Sequence, residues 1–342
     1  MKELSLIQTI AELLEVSEHQ VHLRQQDDSV TARISYVSVS SGDSPRNLVV
    51  KQNRGDYLSE DNKREIWFYS WVCSQQSSLP VPKCYACRYD DKTLESLLVV
   101  ADHSHTHGTT QWPLPPVMTD CRKAVAAMAD VHSRFWDHTE LEDTFGPVPG
   151  RDYFAQREGH FLDILVSFSR EIGDLLSNEY REVFRKAITT YYPMISERLS
   201  TRTGITLCHG DLHAWNFLFP QDDVDPVYII DWQNWQIGLG VDDLAYMVGL
   251  HWEQERKERY ERELLDLYCN RLIENGVPGY MYDQCLSDYN LALIGQCLVP
   301  LWQWEHKVPE PFWWPHVGRA CRTAVDVFSS NPQFLSKPSD QK

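Results

Sequence analysis

The sequence predicts an α+β fold with two lobes, a small β-rich N-lobe followed by a larger helical C-lobe. Three patterns support this. Strand-like alternation dominates up to about residue 100, apolar residues recur at helical spacing after residue 116, and two short strands interrupt the helical half. We therefore expect the N-lobe at residues 1–100, a linker at 101–116 and the C-lobe at 117–342.

The N-lobe elements follow from apolar spacing and turn residues. Alternation over residues 31–38, a turn-rich stretch and renewed alternation from residue 47 predict a hairpin. Ser59 opens a segment whose polar start and later aromatic spacing predict a capped helix. The predicted elements are a helix over 1–14, strands at 31–38 and 47–51, a helix from residue 59, and strands at 83–89 and 93–100.

The C-lobe elements are predicted mainly by helical periodicity. Val125, Met128, Val131 and Phe135 recur at close to 3.6 residues and place a helix at 120–138. Short strands at 217–219 and 227–230 are joined by a turn. Further helices are expected at 161–168, 179–199, 260–275 and 289–304.

The overall composition is that of a globular protein. Of 342 residues, 42% are hydrophobic and 24% are charged, and no apolar run approaches the roughly 20 residues of a membrane helix. The N-terminal segment lacks the features of a signal peptide, so a cytoplasmic protein without a membrane partner is expected. The net charge of −17 argues against a nucleic-acid partner. The nine scattered cysteines are expected to be reduced and mostly buried.

The segment from His209 to Asn216, followed by Asp231, carries the most specific chemical pattern. Asp211 stands five residues before Asn216, and Asp231 follows an apolar strand. This arrangement suits phosphoryl transfer, in which one carboxylate orients the attacking hydroxyl. Mg²⁺ prefers hard oxygen ligands. We therefore predict Asp211 as the catalytic residue and Asn216 and Asp231 as metal ligands.

A kinase site also needs a lysine that binds the nucleotide phosphates and a glutamate that positions it. Lys51 ends an apolar strand, and Glu65 lies in the next helix. Glu65 shares a helix face with Phe68, Tyr69 and Val72, so its side chain is expected to be buried. Lys51 and Glu65 are the predicted pair.

With these residues in place, the chain resembles the aminoglycoside phosphotransferase and choline kinase-like superfamily of small-molecule kinases. The resemblance covers nearly the whole chain. It implies a protein-kinase-like fold, Mg²⁺, and ATP as donor, with GTP as an alternative. It also implies backbone contacts to the nucleotide from Val99 and Ala101. The matching segments are 50–51, 64–69, 79–82, 129–136, 209–216, 230–233 and 240–245.

Three further residues receive supporting roles. The resemblance implies that Asp243 opens the next helix and braces the catalytic loop that contains His209, although the same position also suits a simple helix cap. His213 lies close to Asp211 in sequence and is a candidate for positioning Asp211 or the substrate, with a purely structural histidine as the alternative.

The predicted phosphate-covering stretch departs from the family pattern. It spans residues 25–33 and contains no glycine, whereas glycines usually let the backbone approach the phosphates. Ser29 and Thr31 are the candidate phosphate contacts in this stretch.

The acceptor is predicted to be a small molecule that bears a hydroxyl group. Aromatic rings can enclose a quaternary ammonium by cation–π attraction, which makes Trp232, Trp235, Trp302 and Trp304 candidate pocket residues. The same rings could instead pack the core or bind an apolar alcohol.

The predicted function is therefore Mg²⁺-dependent transfer of the γ-phosphoryl group of a nucleotide to an alcohol group. A choline- or ethanolamine-type kinase is a narrower alternative, and a pseudokinase that binds nucleotide without turnover is another. A protein kinase is disfavoured because His-Gly-Asp replaces His-Arg-Asp and no Ala-Pro-Glu segment follows Asp231.

Overall fold

A computed structural model describes residues 5–28, 32–40, 45–53, 59–75, 79–111, 114–139, 141–222 and 225–334. A β-sheet N-terminal region and a helical C-terminal region confirm the predicted α+β class. The chain divides into two compact units: Met1–Thr110 with Trp215–Trp235, and Gln111–Ala214 with Gln236–Lys342. Residues 215–235, expected within the C-lobe, thus group with the first unit.

The first unit is built on a five-stranded sheet in the order β1-β2-β3-β5-β4, in which all neighbours are antiparallel. One face of the sheet alternates into the core, where Val37, Leu48, Val50 and Val99 are buried with Ile10 of helix α1. The elements are α1 (Leu6–Leu13), β1 (Val21–Asp28), β2 (Ala32–Val39), β3 (Arg46–Asn53), β4 (Cys84–Tyr89) and β5 (Ser96–Ala101).

Strand β1 was not predicted. It lies at the edge of the sheet, and every residue after Val21 is exposed, so the strand carries almost no apolar alternation. Helix α2 (Ser59–Gln75) packs against β4 and β5 and buries the predicted face, which includes Glu65, Phe68 and Tyr69.

A second, three-stranded sheet in the first unit is formed by β6 (His107–Gly108), β8 (Phe217–Pro220) and β9 (Tyr228–Ile229). The predicted hairpin at this place is present: β8 and β9 are antiparallel, and Phe217 pairs with Ile229. The residue before β8 and the residue after β9 must therefore lie at the same end of the hairpin.

The second unit is largely helical and contains one strand pair, β7 (Thr206–Cys208) and β10 (Gln236–Gly238). A π-helical segment, Tyr246–Leu250, follows helix α7 directly. The helices are α3 (Met118–Phe135), α4 (Leu141–Phe145), α5 (Arg151–Ile172), α6 (Asn178–Ser200), α7 (Val241–Ala245), α8 (Gln254–Glu274), α9 (Tyr282–Gly295), α10 (Leu298–Glu305) and α11 (Glu310–Ser330).

The prediction of a single helix at 289–304 is wrong, because the helix is interrupted between α9 and α10. Gly295, the last residue of α9, lies against the ring of Tyr191, where an added Cβ would stand 2.6 Å from a ring carbon. The apolar pattern continues through the break, so periodicity alone could not locate it.

The expectation that all cysteines are reduced also needs correction. Cys269 of α8 and Cys285 of α9 form a disulfide, because the packing of these two helices brings together two buried side chains sixteen residues apart. Seven cysteines are free. Among the helices in the described part of the chain, none is long and apolar enough to cross a membrane.

Candidate functional site

Asn216 and Asp231 lie at one end of the β8–β9 hairpin. Asn216 immediately precedes β8, and the backbone N–H of Ile230 donates to the Asn216 carbonyl at 3.0 Å, which extends the strand ladder by one step. Asp231 has a left-handed backbone (φ 68°), a conformation that short polar residues tolerate better than most. The hairpin thus places an amide oxygen and a carboxylate at its end, a donor set that could hold Mg²⁺.

Lys51 lies between two carboxylates. Its Nζ is 2.9 Å from Oε2 of Glu65 and 2.5 Å from Oδ1 of Asp231. The Lys51 side chain is 15% exposed and that of Glu65 is 2% exposed, so water screens the Lys51–Glu65 pair little. Although burial lowers it, the attraction of Asp231 and Glu65 raises the pKa of Lys51 above its ordinary value. The ammonium is therefore held charged and in place.

Helix α2 and the loop after Asp231 are joined by aromatic packing in the first unit. Trp232 stacks on Phe68 with ring centroids 4.1 Å apart. The indole N–H of Trp235 donates to the Arg64 carbonyl at 2.8 Å, and the Arg64 guanidinium lies over the Trp235 ring. Both tryptophans are buried. Because protein covers almost all of both rings, they cannot enclose a ligand. Their predicted place in a substrate pocket is therefore corrected.

The loop that carries Asp211 lies in the second unit and is held by Asp243. The backbone N–H groups of His209 and Gly210 donate to the two Asp243 carboxylate oxygens at 2.7 and 2.9 Å. His132 Nε2 lies 3.1 Å from the same carboxylate. Burial raises the pKa of Asp243, but these hydrogen bonds and the His132 charge outweigh it, so the pKa is below its ordinary value.

Asp243 is the third residue of α7 rather than its cap, and the cap residue is Gly240. His132, Cys208 and Asp243 are the one group of histidine, cysteine and acidic side chains in the described ranges that is close enough to share a metal ion. Because Asp243 already accepts three hydrogen bonds and the Cys208 thiol donates to the Leu239 carbonyl at 3.3 Å, we interpret this group as a hydrogen-bond network.

Asp211 is contacted by a residue that the sequence did not reveal. The Tyr246 hydroxyl donates to Oδ1 of Asp211 at 2.6 Å, and His213 Nε2 is 3.7 Å from Oδ2. Burial and the neighbouring Asp211 raise the pKa of Tyr246, so the phenol remains a donor. The Asp211 side chain is 24% exposed. Tyr246 thus fixes the orientation of the Asp211 carboxylate.

A row of imidazoles extends from His213. Its ring centroid is 5.4 Å from that of His251, which in turn is 4.7 Å from that of His316. Burial lowers the pKa of His251, and burial together with the Arg319 charge lowers the pKa of His316 to about 3. The His251 and His316 rings are therefore neutral at neutral pH.

The other residues predicted to contact the nucleotide are Val99, Ala101, Ser29 and Thr31. The Ala101 N–H donates to the Lys83 carbonyl at 2.8 Å, and Val99 pairs with both β3 and β4, so the Ala101 amide is not open to a nucleotide. Ser29 and Thr31 lie outside the described residues.

Trp302 and Trp304 are half-buried in α10, and Trp304 donates to Glu171 at 3.2 Å. Trp304 lies beside a cavity of about 640 Å³, which is lined by His160, Asp163, Ile164, Ser167, Glu171, Trp304, Glu305 and Lys307.

Comparisons with known proteins identify relatives of this fold. A family model described as the phosphotransferase enzyme family (APH) matches residues 35–280. A comparison with curated protein sequences finds no match. All the solved structures that follow are less than 25% identical to the chain, so they bear on the fold alone, and they confirm that it is kinase-like.

Three solved structures serve as examples. An ethanolamine kinase from Plasmodium vivax is 13% identical, with 95% of this chain and 87% of that chain covered and a TM-score of 0.62. A putative aminoglycoside phosphotransferase from Ralstonia eutropha is 15% identical (92% and 93% covered, TM-score 0.56). The GDP complex of an aminoglycoside 2'-phosphotransferase is 13% identical (91% and 94% covered, TM-score 0.54).

Proposed function

Because the chain belongs to the phosphotransferase enzyme family, we propose that it is a small-molecule kinase that transfers the γ-phosphoryl group of a nucleoside triphosphate to a hydroxyl group. The observation that carries the proposal is the position of Lys51 between Glu65 and Asp231, at the end of a hairpin that also presents Asn216. A lysine, a glutamate and two oxygen ligands are the parts that hold a nucleotide and its cation in this chemistry.

In the proposed site, Lys51 binds the nucleotide phosphates and Glu65 keeps its ammonium in position. Asn216 and Asp231 would hold Mg²⁺, which would neutralise charge on the nucleotide phosphates. ATP is the proposed donor, and GTP is the alternative because one relative of this fold was solved with GDP. Lys51 also contacts one oxygen of Asp231. Binding of phosphate would draw Lys51 away from that oxygen.

Asp211 is proposed to orient the acceptor hydroxyl through Oδ2 and to accept its proton. Tyr246 donates to Oδ1 and so holds the Asp211 carboxylate in position. An ordinary carboxylate suffices for this step, since phosphoryl transfer passes through a loose transition state in which the proton leaves late. His213, near Oδ2, is placed to contact the same hydroxyl or its proton.

Amino alcohols are the acceptor class to test first. The cavity beside Trp304 is lined by that indole, by the carboxylates of Asp163, Glu171 and Glu305, and by Lys307, and an indole face with carboxylates attracts organic cations. The burial of Trp232 and Trp235 leaves Trp302 and Trp304 as the predicted pocket rings. Polyols and lipophilic alcohols are the other acceptor classes to test.

The proposal is tested by measuring phosphoryl transfer from Mg²⁺-ATP or Mg²⁺-GTP to each alcohol, after subtraction of nucleotide hydrolysis. We expect phosphorylation of at least one alcohol by the wild type and its loss in Asp211→Asn. The matched control is Asp130→Asn, which alters an ion pair with Arg271 in the same unit. Thermal shift with Mg²⁺-nucleotide separates binding from turnover. Nucleotide binding without phosphoryl transfer to any of the tested alcohols would instead support the pseudokinase alternative.

A further inference from the structure

Three cysteines form a thiol cluster on the first unit. Cys73 lies on α2, and Cys84 and Cys87 lie on β4. The three side chains lie close enough to shift one another's pKa, and the Cys87 sulfur lies 3.9 Å from the Ile66 carbonyl of α2. The Cys73 thiol also lies 3.7 Å from the Cys84 carbonyl, and Ser70 Oγ lies 3.1 Å from the Cys87 sulfur. We call Cys73, Cys84 and Cys87 the thiol cluster.

Two local features of the chain create the cluster. Ile66, Ser70 and Cys73 are spaced at i, i+4 and i+7 and so share one face of α2, which packs against β4. A register shift in β4 between Cys84 and Ala86 interrupts the normal alternation of side chains. Two cysteines three residues apart in a regular strand would face opposite sides, whereas here both reach α2.

The cluster combines nucleophilic character with access. Hydrogen bonds from Cys73, Cys84 and Ser70 outweigh burial and lower the pKa of the Cys87 thiol. A stabilised thiolate is the reactive form of cysteine. Cys73 is exposed, and both strand cysteines are partly exposed. The free cysteines outside the cluster, Cys121, Cys208, Cys297 and Cys321, are all buried.

We propose that the thiol cluster is a modification site that reacts with low-molecular-weight disulfides and then closes to a disulfide between α2 and β4. Cys87 is the nucleophile, and Cys73, on the facing helix, is the thiol that resolves the mixed disulfide. The reagent class is a small disulfide such as oxidised glutathione. This proposal does not depend on kinase activity.

The reaction balances in two exchanges. The Cys87 thiolate attacks one sulfur of the small disulfide, a bond between them forms, and the other half leaves as a thiolate. Cys73 then loses its proton to solvent and attacks the Cys87 sulfur, which releases the second half as a thiolate. Two protein thiols are oxidised to one disulfide, and the small disulfide is reduced to two thiols.

Peptide mapping tests this on the full-length chain. The reduced protein is incubated with oxidised glutathione under native conditions, blocked with an alkylating reagent at intervals, and analysed by mass spectrometry. We expect Cys87 to react about tenfold or more faster than Cys121, and a Cys73–Cys87 cross-link to follow. Equal rates at Cys87 and the four buried cysteines, or the absence of any cross-link to Cys73, would overturn the proposal.

Serine variants separate the two exchanges. In Cys87→Ser the fast phase should disappear. In Cys73→Ser, which changes an exposed position, the mixed disulfide at Cys87 should form and persist without a cross-link. The matched control Cys121→Ser changes a buried free cysteine outside the cluster and should leave both steps unaltered. A cross-link that still forms at an unchanged rate in Cys87→Ser would rule out Cys87 as nucleophile.

Discussion

Tyr246 and Asp211 are joined by a 2.6 Å hydrogen bond from the phenol to one carboxylate oxygen. Tyr246 stands three residues after Asp243, so both side chains leave the same face of consecutive helical turns. Asp243 holds the backbone of the loop at His209 and Gly210, whereas Tyr246 holds the side chain that follows. The short helix and its π-helical continuation thus hold the loop that carries Asp211 at two points. Turns of π-helix are frequent at functional sites.

Tyr246→Phe removes one hydrogen bond to Asp211 and little else. We expect kcat to fall about tenfold, since a hydrogen bond to a charged group contributes about 1.5 kcal/mol, while KM for the nucleotide changes little. Steady-state kinetics measures both. Tyr289→Phe, which removes a 2.8 Å bond to Glu261 in the same unit, is the control. An equal fall in kcat in the two variants would assign Tyr246 a structural role only.

Lys51→Met should abolish stabilisation by nucleotide. It removes the group proposed to bind the phosphates and leaves Glu65 without its buried partner, so a loss of about 3 kcal/mol in stability is also expected. Calorimetric titration with ATP, together with denaturant unfolding, separates the two effects. Lys63 lies on the same helix as Glu65 and forms an exposed ion pair with Asp91. Lys63→Met should change neither nucleotide binding nor stability. Undiminished ATP affinity in Lys51→Met would contradict the proposed role.

Asp231→Asn tests the cation site without disturbing the backbone. Asparagine also tolerates the left-handed conformation observed at this position, so the hairpin should persist. We expect turnover to fall by about a hundredfold or more and the Mg²⁺ concentration for half-maximal rate to rise. A magnesium titration of the rate measures this. Asp222→Asn, in the turn before β9, serves as control. An unchanged magnesium requirement would place the cation elsewhere.

His316 should make the protein less stable in acid. Its pKa is about 3 in the folded state, below the ordinary value of about 6.5 expected on unfolding. Above pH 6.5 the contribution is fully present, and it is lost as pH falls towards 3, because only the unfolded chain binds the proton. The slope is at most about 1.4 kcal/mol per pH unit.

The matched variants for this acid effect are His316→Asn and His19→Asn. Unfolding free energies measured from pH 7 to pH 4 should decline less steeply in His316→Asn than in the wild type. His19 is exposed, and its replacement should leave the slope unaltered. Parallel slopes in all three proteins would show that His316 is protonated in the folded state.

What the sequence predicted well was local. The α+β class follows from alternation and periodicity. Asp211 and Asp231 stand out because they occur in order with Asn216, which follows Asp211 by five residues, and Lys51 gains its meaning from that pattern. The contacts of Lys51 with Glu65 and Asp231 accord with the expected arrangement of a nucleotide site, although their catalytic roles stay predictions.

What the sequence concealed depends on packing between distant segments. Nothing near Tyr246 distinguishes it from a core aromatic, and its bond to Asp211 spans 35 residues. Trp232 and Trp235 were misassigned because an aromatic beside a site can fill the core as well as a pocket. The Cys269–Cys285 pair likewise requires two helices to meet.

The stack of Phe68 on Trp232 has a consequence for control of the protein. It ties the helix that carries Glu65 to the loop that carries Asp231, and Arg64 and Trp235 reinforce the tie. Swinging that helix outward would separate buried rings whose contact contributes about 0.5–1.5 kcal/mol beyond the burial of their area. Outward displacement of this helix, and of Glu65 with it, is therefore disfavoured. Under the proposed function, turnover should follow the supply of donor and acceptor rather than a displacement of this helix.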